Sequence, residues 1–186
     1  MSHEIKMNNQ EQYFRRKSYA VSVCRIEPEN NMHLILDAFS RQKDLLLVAV
    51  GNWRNSKYGL MLLEKYSGFA HLHMLDPIYD SKEVNFLRTN AFVYIHGHSA
   101  GGTNPSLVEA MFLGLPVLAF DCVYNRHTTE NQCVYWSCAD ELRMNILNAS
   151  ECDLQKIAVS MKSIAERKYK WEKIVEKYHS LFEIYP

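Results

Sequence analysis

Two kinds of segment alternate along this chain. Short apolar runs recur at residues 19–26, 45–50, 71–75, 91–95, 116–120 and 133–135. Between them lie stretches with helical spacing, at residues 32–39, 58–66, 82–87, 106–113 and 140–147. A strand buried on both faces reads as a continuous apolar run, and parallel neighbours need a crossover that a helix can supply. The pattern predicts one doubly wound α/β domain with a parallel sheet over residues 18–186. Residues 1–17 are polar and charged, with Asn8-Asn9-Gln10 and Arg15-Arg16-Lys17, and are expected to form a linker or frayed terminus. From Asp153 onward the pattern is wholly helical. A break is expected near residues 168–170, because about 30 residues is long for one globular helix.

Charge narrows the partners. Lys plus Arg equals Asp plus Glu at 21 each, so no basic excess exists to hold nucleic acid or anionic lipid. An anionic ligand must be held by local geometry. The five cysteines are odd in number and never spaced C-x-x-C. With no signal-peptide pattern at the N-terminus, they read as reduced thiols of a cytoplasmic protein. The apolar run at residues 44–50 is far too short to span a bilayer. Peripheral contact with the inner face of a membrane, through a longer protein, is left open.

In a sheet of this kind ligands sit at the carboxyl ends of the strands. That directs attention to the loops at residues 24–31, 51–57, 76–81 and 96–105. The last is the richest. Asn104 is a preferred N-cap, Pro105 suits the first helical position, and Gly114 and Pro116 mark the helix end. The helix so defined has its first available backbone N–H groups at Ser106 and Leu107, and a helix N-terminus attracts anions. Gly101 and Gly102 allow close approach of backbone to a ligand. The same residues also suit an ordinary strand–loop–helix joint. Glu109, one turn inside the helix, can accept hydrogen bonds from a ribose diol or be a dipole-favoured surface residue. Arg25 ends the first strand and can grip phosphate, or pair with Glu27 or Glu29 nearby. The pairs His96/His98 and His71/His73 lack a completing Cys or carboxylate, so no metal is expected. Neither a dinucleotide fingerprint nor a P-loop is present. Trp53 and Tyr58 are expected to pack rather than stack on a base.

Taken together, these residues make the chain resemble the C-terminal domain of retaining GT-B glycosyltransferases of nucleotide-sugar family four. Residues 19–31 resemble that family's first strand and loop, and residues 87–95 its later apolar strand. The most specific match is Pro105-Ser106-Leu107-Val108-Glu109-Ala110-Met111 followed by Gly114-Leu115-Pro116-Val117. More narrowly, residues 25–31 and 101–107 are similar to bacterial capsule and O-antigen rhamnosyltransferases that use dTDP-L-rhamnose.

The resemblance implies a Rossmann-like half of a GT-B fold that binds a nucleotide-sugar donor for transfer to a growing surface polysaccharide. It implies diphosphate contacts at Arg25, Ser106 and Leu107, and a ribose contact at Glu109. Two departures stand out: Gly101 occupies the place of an acidic sugar contact, and the usual Lys is replaced around Asn30. Sugar recognition would then pass to Gly101, Gly102, Thr103 and Asn104. Retention without a metal or cofactor follows from the resemblance, the nucleotide-sugar being a substrate. The acceptor would sit on an N-terminal domain absent from these residues, so transfer by this chain alone is not expected. The alternatives are the same fold with a UDP- or GDP-sugar, a related GT-B epimerase, and a non-catalytic α/β binding module.

Overall fold

The computed structural model describes residues 19–184; the expected linker at residues 1–17 lies outside them. Six strands form one parallel sheet: β1 (Tyr19–Val23), β2 (Leu46–Val50), β3 (Leu72–Leu75), β4 (Val93–His96), β5 (Val117–Phe120) and β6 (Val134–Trp136). The helices are α1 (Met32–Ser40), α2 (Lys57–Tyr66), α3 (Ser81–Asn90), α4 (Pro105–Phe112), α5 (Val123–Thr128), α6 (Ala139–Asn148), α7 (Glu151–Lys168) and α8 (Trp171–Ile184). The expected α/β class therefore holds, and the C-terminal helical stretch breaks between Lys168 and Trp171.

Strand order is β3-β2-β1-β4-β5-β6. The order reverses between β1 and β4, and a crevice opens at their carboxyl ends where successive crossovers diverge to opposite faces. Alternation along the strands feeds two separate cores. Ala20, Leu47, Ala49 and Ile95 face α1, α2 and α6 through Ile35, Phe39, Leu62 and Leu142. Val21, Val48, Tyr94 and Val117 face α3, α4 and α7 through Leu87, Leu107, Met111 and Met161. This two-sided burial is why the strand segments carry apolar residues at consecutive positions rather than at every second one.

The structure trims two of the sequence expectations and adds one element. Strand β1 ends at Val23, because Cys24 to Asn31 turn away into a loop with a short 3-10 turn at Pro28–Asn30. Residues 87–90, read from the resemblance as the start of a strand, instead close α3, and β4 begins at Val93. Helix α5 has no counterpart in the sequence reading.

Candidate functional site

The crevice at the switch point is a cleft of about 850 Å³. Its walls include the end of β1 and the residues after it (Val23, Cys24, Arg25), the end of β2 and the residues after it (Val50, Gly51, Asn52), and the cap and first turns of α4 (Asn104, Pro105, Ser106, Glu109). Of the residues singled out from sequence, Arg25, Asn104, Ser106 and Glu109 line it together. Leu107 does not, since its side chain is fully buried in the core beneath. Gly101, Gly102 and Thr103 are exposed on the adjoining loop and are not among the cleft walls.

The two loops that frame the cleft are tied to each other. Ser99 donates both its amide (2.8 Å) and its hydroxyl (2.9 Å) to the Glu29 carbonyl, and Asn31 Nδ2 donates to the Gly97 carbonyl at 2.9 Å. Gly97 is required there by space: a Cβ would lie 2.1 Å from the Asn30 carbonyl oxygen. Asn30, which stands about where the family usually has a Lys, is a buried brace. Its Nδ2 donates to the Arg25 carbonyl at 2.8 Å, which turns its Oδ1 toward His98 Nδ1 at 2.7 Å. An acceptor on that side makes His98 Nδ1 the donor of the pair. The other ring nitrogen, Nε2, lies 3.8 Å from where a Gly101 Cβ would stand. Gly101 itself has φ of +84°, a conformation that favours glycine.

At the start of α4 the sequence reading needs correction. The Ser106 amide donates to Asn104 Oδ1 at 2.9 Å, and the Leu107 amide to the Asn104 carbonyl at 3.1 Å. The two N–H groups expected to be available are thus engaged by the cap residue. The Ser106 hydroxyl is also committed. It donates to the Val23 carbonyl (2.9 Å) and stands 2.8 Å from Arg88 Nη2 and 2.9 Å from the Tyr94 hydroxyl. The Tyr94 hydroxyl also reaches the Val23 carbonyl, at 3.2 Å, so the Ser106 and Tyr94 hydroxyls together fix α4 to the end of β1.

Arg88, which sequence reasoning did not single out, is the most deeply placed cation of the cleft. Its side chain is 4% exposed, and Nη2 lies 2.8 Å from Glu109 Oε2. Its Nε is buried without a hydrogen-bond partner. Tyr19 holds the preceding residue by donating its hydroxyl to the Leu87 carbonyl at 2.5 Å. Glu109 is the outer partner, 56% exposed and on the cleft wall. Arg25 differs from Arg88: its side chain is 72% exposed, and Nη1 stands 3.4 Å from Glu27 Oε1. An ion pair that open to water holds loosely, so Arg25 can turn to an anion at small cost.

Burial quenches the other reactive groups nearby. The Cys24 thiol is pushed up to about 12, so it is no thiolate nucleophile at neutral pH. The Tyr94 hydroxyl is likewise raised to about 12 by burial, and remains a hydrogen-bonding group. Trp53 packs as expected, fully buried with Nε1 donating to the Leu75 carbonyl at 2.9 Å. Tyr58 also binds protein, its hydroxyl lying 2.8 Å from His33 Nδ1. Among the described residues, no group of three or more His, Cys, Asp or Glu side chains could hold a metal ion. No helix among them is long and apolar enough to cross a membrane.

The parallel sheet, its switch-point cleft and the C-terminal helices define a Rossmann-like half of a GT-B fold. The family model described as glycosyl transferases group 1 matches residues 5–135, more than half of the chain, and the chain belongs to that family of enzymes. This corrects the narrower reading of the sequence: the match carries a group 1 glycosyltransferase domain, not membership of family four or of its rhamnosyltransferases. No curated protein matches the chain.

Solved structures do superpose on it. Sucrose-phosphate synthase from Thermosynechococcus elongatus aligns with a TM-score of 0.79 and 16% identity, over 94% of this chain and 47% of that one. HepE of Anabaena, in complex with UDP and glucose, aligns at 0.78 and 16%, over 98% and 53%. The C-terminal domain of LpcC, a glycosyl transferase group 1 family protein of Francisella tularensis, aligns at 0.68 and 16%, over 91% and 95%. At this identity the likeness establishes the fold. The chain spans 36% of the TarM structure and 53% of HepE.

Proposed function

We propose that the cleft between β1 and β4 binds the nucleotide-sugar donor of a retaining glycosyl transfer, the acceptor being held by a second domain. The observation that carries this reading is the convergence, at the switch point, of the α4 N-terminus, the exposed Arg25 and the Arg88-braced Glu109. A diphosphate placed over α4 meets the positive end of its dipole and the Arg25 guanidinium, which stabilise charge on the leaving group as the glycosidic bond breaks. The Ser106 amide serves it by exchanging the Asn104 side-chain oxygen for a phosphate oxygen, and the Leu107 amide, held by the Asn104 backbone carbonyl, contributes through the helix-end dipole. Glu109, further along α4, then falls on the nucleoside side and accepts hydrogen bonds from the ribose. The sugar lies on the opposite side, toward Gly101, Gly102, Thr103 and Asn104. His98 Nε2 beside Gly101 supplies a hydrogen-bonding partner for a sugar hydroxyl, where the resemblance expected a carboxylate. Retention requires the acceptor hydroxyl to attack from the face the diphosphate leaves, with a phosphate oxygen taking its proton.

The test is calorimetric titration with UDP, dTDP and GDP, each beside its nucleoside, with and without a chelator. At least one diphosphate should bind tenfold or more tightly than its nucleoside, unchanged by the chelator. Equal affinity for nucleoside and diphosphate would contradict the reading.

A further inference from the structure

Arg88 has a burial unlike that of the other cations at the cleft, and the donor reading assigns it no contact with the donor itself. A guanidinium in the last turn of an amphipathic helix would ordinarily reach solvent with its charged end. Here it turns inward beneath the cleft, 3% exposed as a residue, and accepts a cost in doing so. Removing the charge from water is unfavourable, and the buried Nε finds no partner to offset it. What the side chain gains is one nitrogen, Nη2, placed 2.8 Å from Glu109 Oε2 and 2.8 Å from the Ser106 hydroxyl oxygen. Those two residues lie on α4 at the nucleoside side and the phosphate side of the cleft. A single donor group from α3 therefore fixes both.

We infer that Arg88 is a positioning residue for donor recognition: it holds Glu109 by one carboxylate oxygen so that the other faces the ribose diol of a nucleoside diphosphate. This rests on the donor reading above. The Glu109 side chain is more than half exposed, and without a brace it would sample several rotamers. Ordering a flexible Glu on binding costs conformational entropy, which a preset carboxylate avoids. The Arg88 bond to Oε2 leaves Oε1, an acceptor with two lone pairs, for the vicinal hydroxyls. Lys cannot reproduce the arrangement, since its ammonium is a point donor on a more flexible stem.

The experiment compares UDP with 2′,3′-dideoxy-UDP by calorimetry, in the wild-type chain and in the variants Arg88→Met, Arg88→Lys and Glu109→Gln, and in Arg88→Met with Glu109→Gln combined. The wild type should prefer UDP by about tenfold or more. Arg88→Met should lose most of that preference while its affinity for the dideoxy nucleotide changes less than about threefold. Arg88→Lys should fall between the two. In the Glu109→Gln background the Arg88→Met change should remove no further preference, because the brace has nothing left to orient. Circular dichroism checks each variant for folding. If Arg88→Met does not fold, the Lys variant and its combination with Glu109→Gln make the same comparison. A folded Arg88 variant that keeps the full preference, or weakens both nucleotides equally, overturns the inference and leaves the donor reading intact. A wild type that binds no nucleoside diphosphate overturns both.

Discussion

His96 makes the stability of this domain depend on pH in a way that can be calculated. It ends β4, is almost fully buried, stacks on Tyr94 with ring centroids 6.0 Å apart, and has a buried Nε2 without a hydrogen-bond partner. Burial first, and then the neighbouring His98 ring, lowers its pKa from 6.5 to about 3. The folded chain therefore keeps His96 neutral where the unfolded chain has already taken up a proton. Between those two values the unfolded state binds more protons, so stability falls as pH falls. Its contribution is fully present above 6.5 and is lost toward 3. At pH 5 the two values give a loss of about 2 kcal/mol relative to pH 7 and above. His96→Phe keeps an aromatic ring against Tyr94, forfeits no Nε2 hydrogen bond, and cannot titrate. Urea unfolding of both proteins at pH 7 and pH 5 isolates the term. His33 and His73, also lowered by burial, contribute to both proteins and cancel in the difference. The wild type should lose about 2 kcal/mol more than the variant over that interval. Parallel losses in the two proteins would mean that His96 is not held neutral by burial.

Other perturbations follow from the same contacts. Arg25→Ala should weaken a nucleoside diphosphate by about 1.5–3 kcal/mol and its nucleoside hardly at all, with little change in unfolding midpoint; equal losses would return Arg25 to its ion pair with Glu27. Asn104→Ala removes the side-chain cap on the Ser106 amide and should cost about 1 kcal/mol of stability in urea unfolding. Ser106→Ala breaks the bonds to Val23, Arg88 and Tyr94, and should cost more than the cap does; a loss no larger than that of Asn104→Ala would contradict the anchoring role.

How much of this could be read from the chain itself varies with the kind of signal. Parallel strands buried on both faces announce themselves as apolar runs, which made β1, β2, β4 and β5 legible. Strands β3 and β6, partly buried at the sheet edges, were legible as shorter runs in the same alternation. The α4 cap was legible too, because Asn104, Pro105 and Gly114 act through local backbone chemistry. Helix α5 was not, since Val123 and Tyr124 are exposed and only Asn125 and Thr128 are buried, leaving no apolar period to detect. Arg88 was missed for a related reason. An Arg near the end of an amphipathic helix reads as a surface residue favoured by the dipole. Only the fold brings it within reach of Ser106, 18 residues further on. The committed state of the Ser106 hydroxyl was equally hidden, because its partners Val23 and Tyr94 come from two different strands.

In the proposed donor mode a nucleoside diphosphate enters the β1–β4 cleft with its phosphates over the α4 N-terminus. The most direct measurement is a backbone amide chemical-shift map of the chain titrated with UDP, and with dTDP and GDP. Saturable shifts are expected at Arg25, Gly51, His98 and Ser106 to Glu109, the Ser106 amide moving strongly as the Asn104 side chain gives way to phosphate. A map in which these amides stay still, while shifts fall elsewhere or nowhere for all three nucleotides, would contradict that mode.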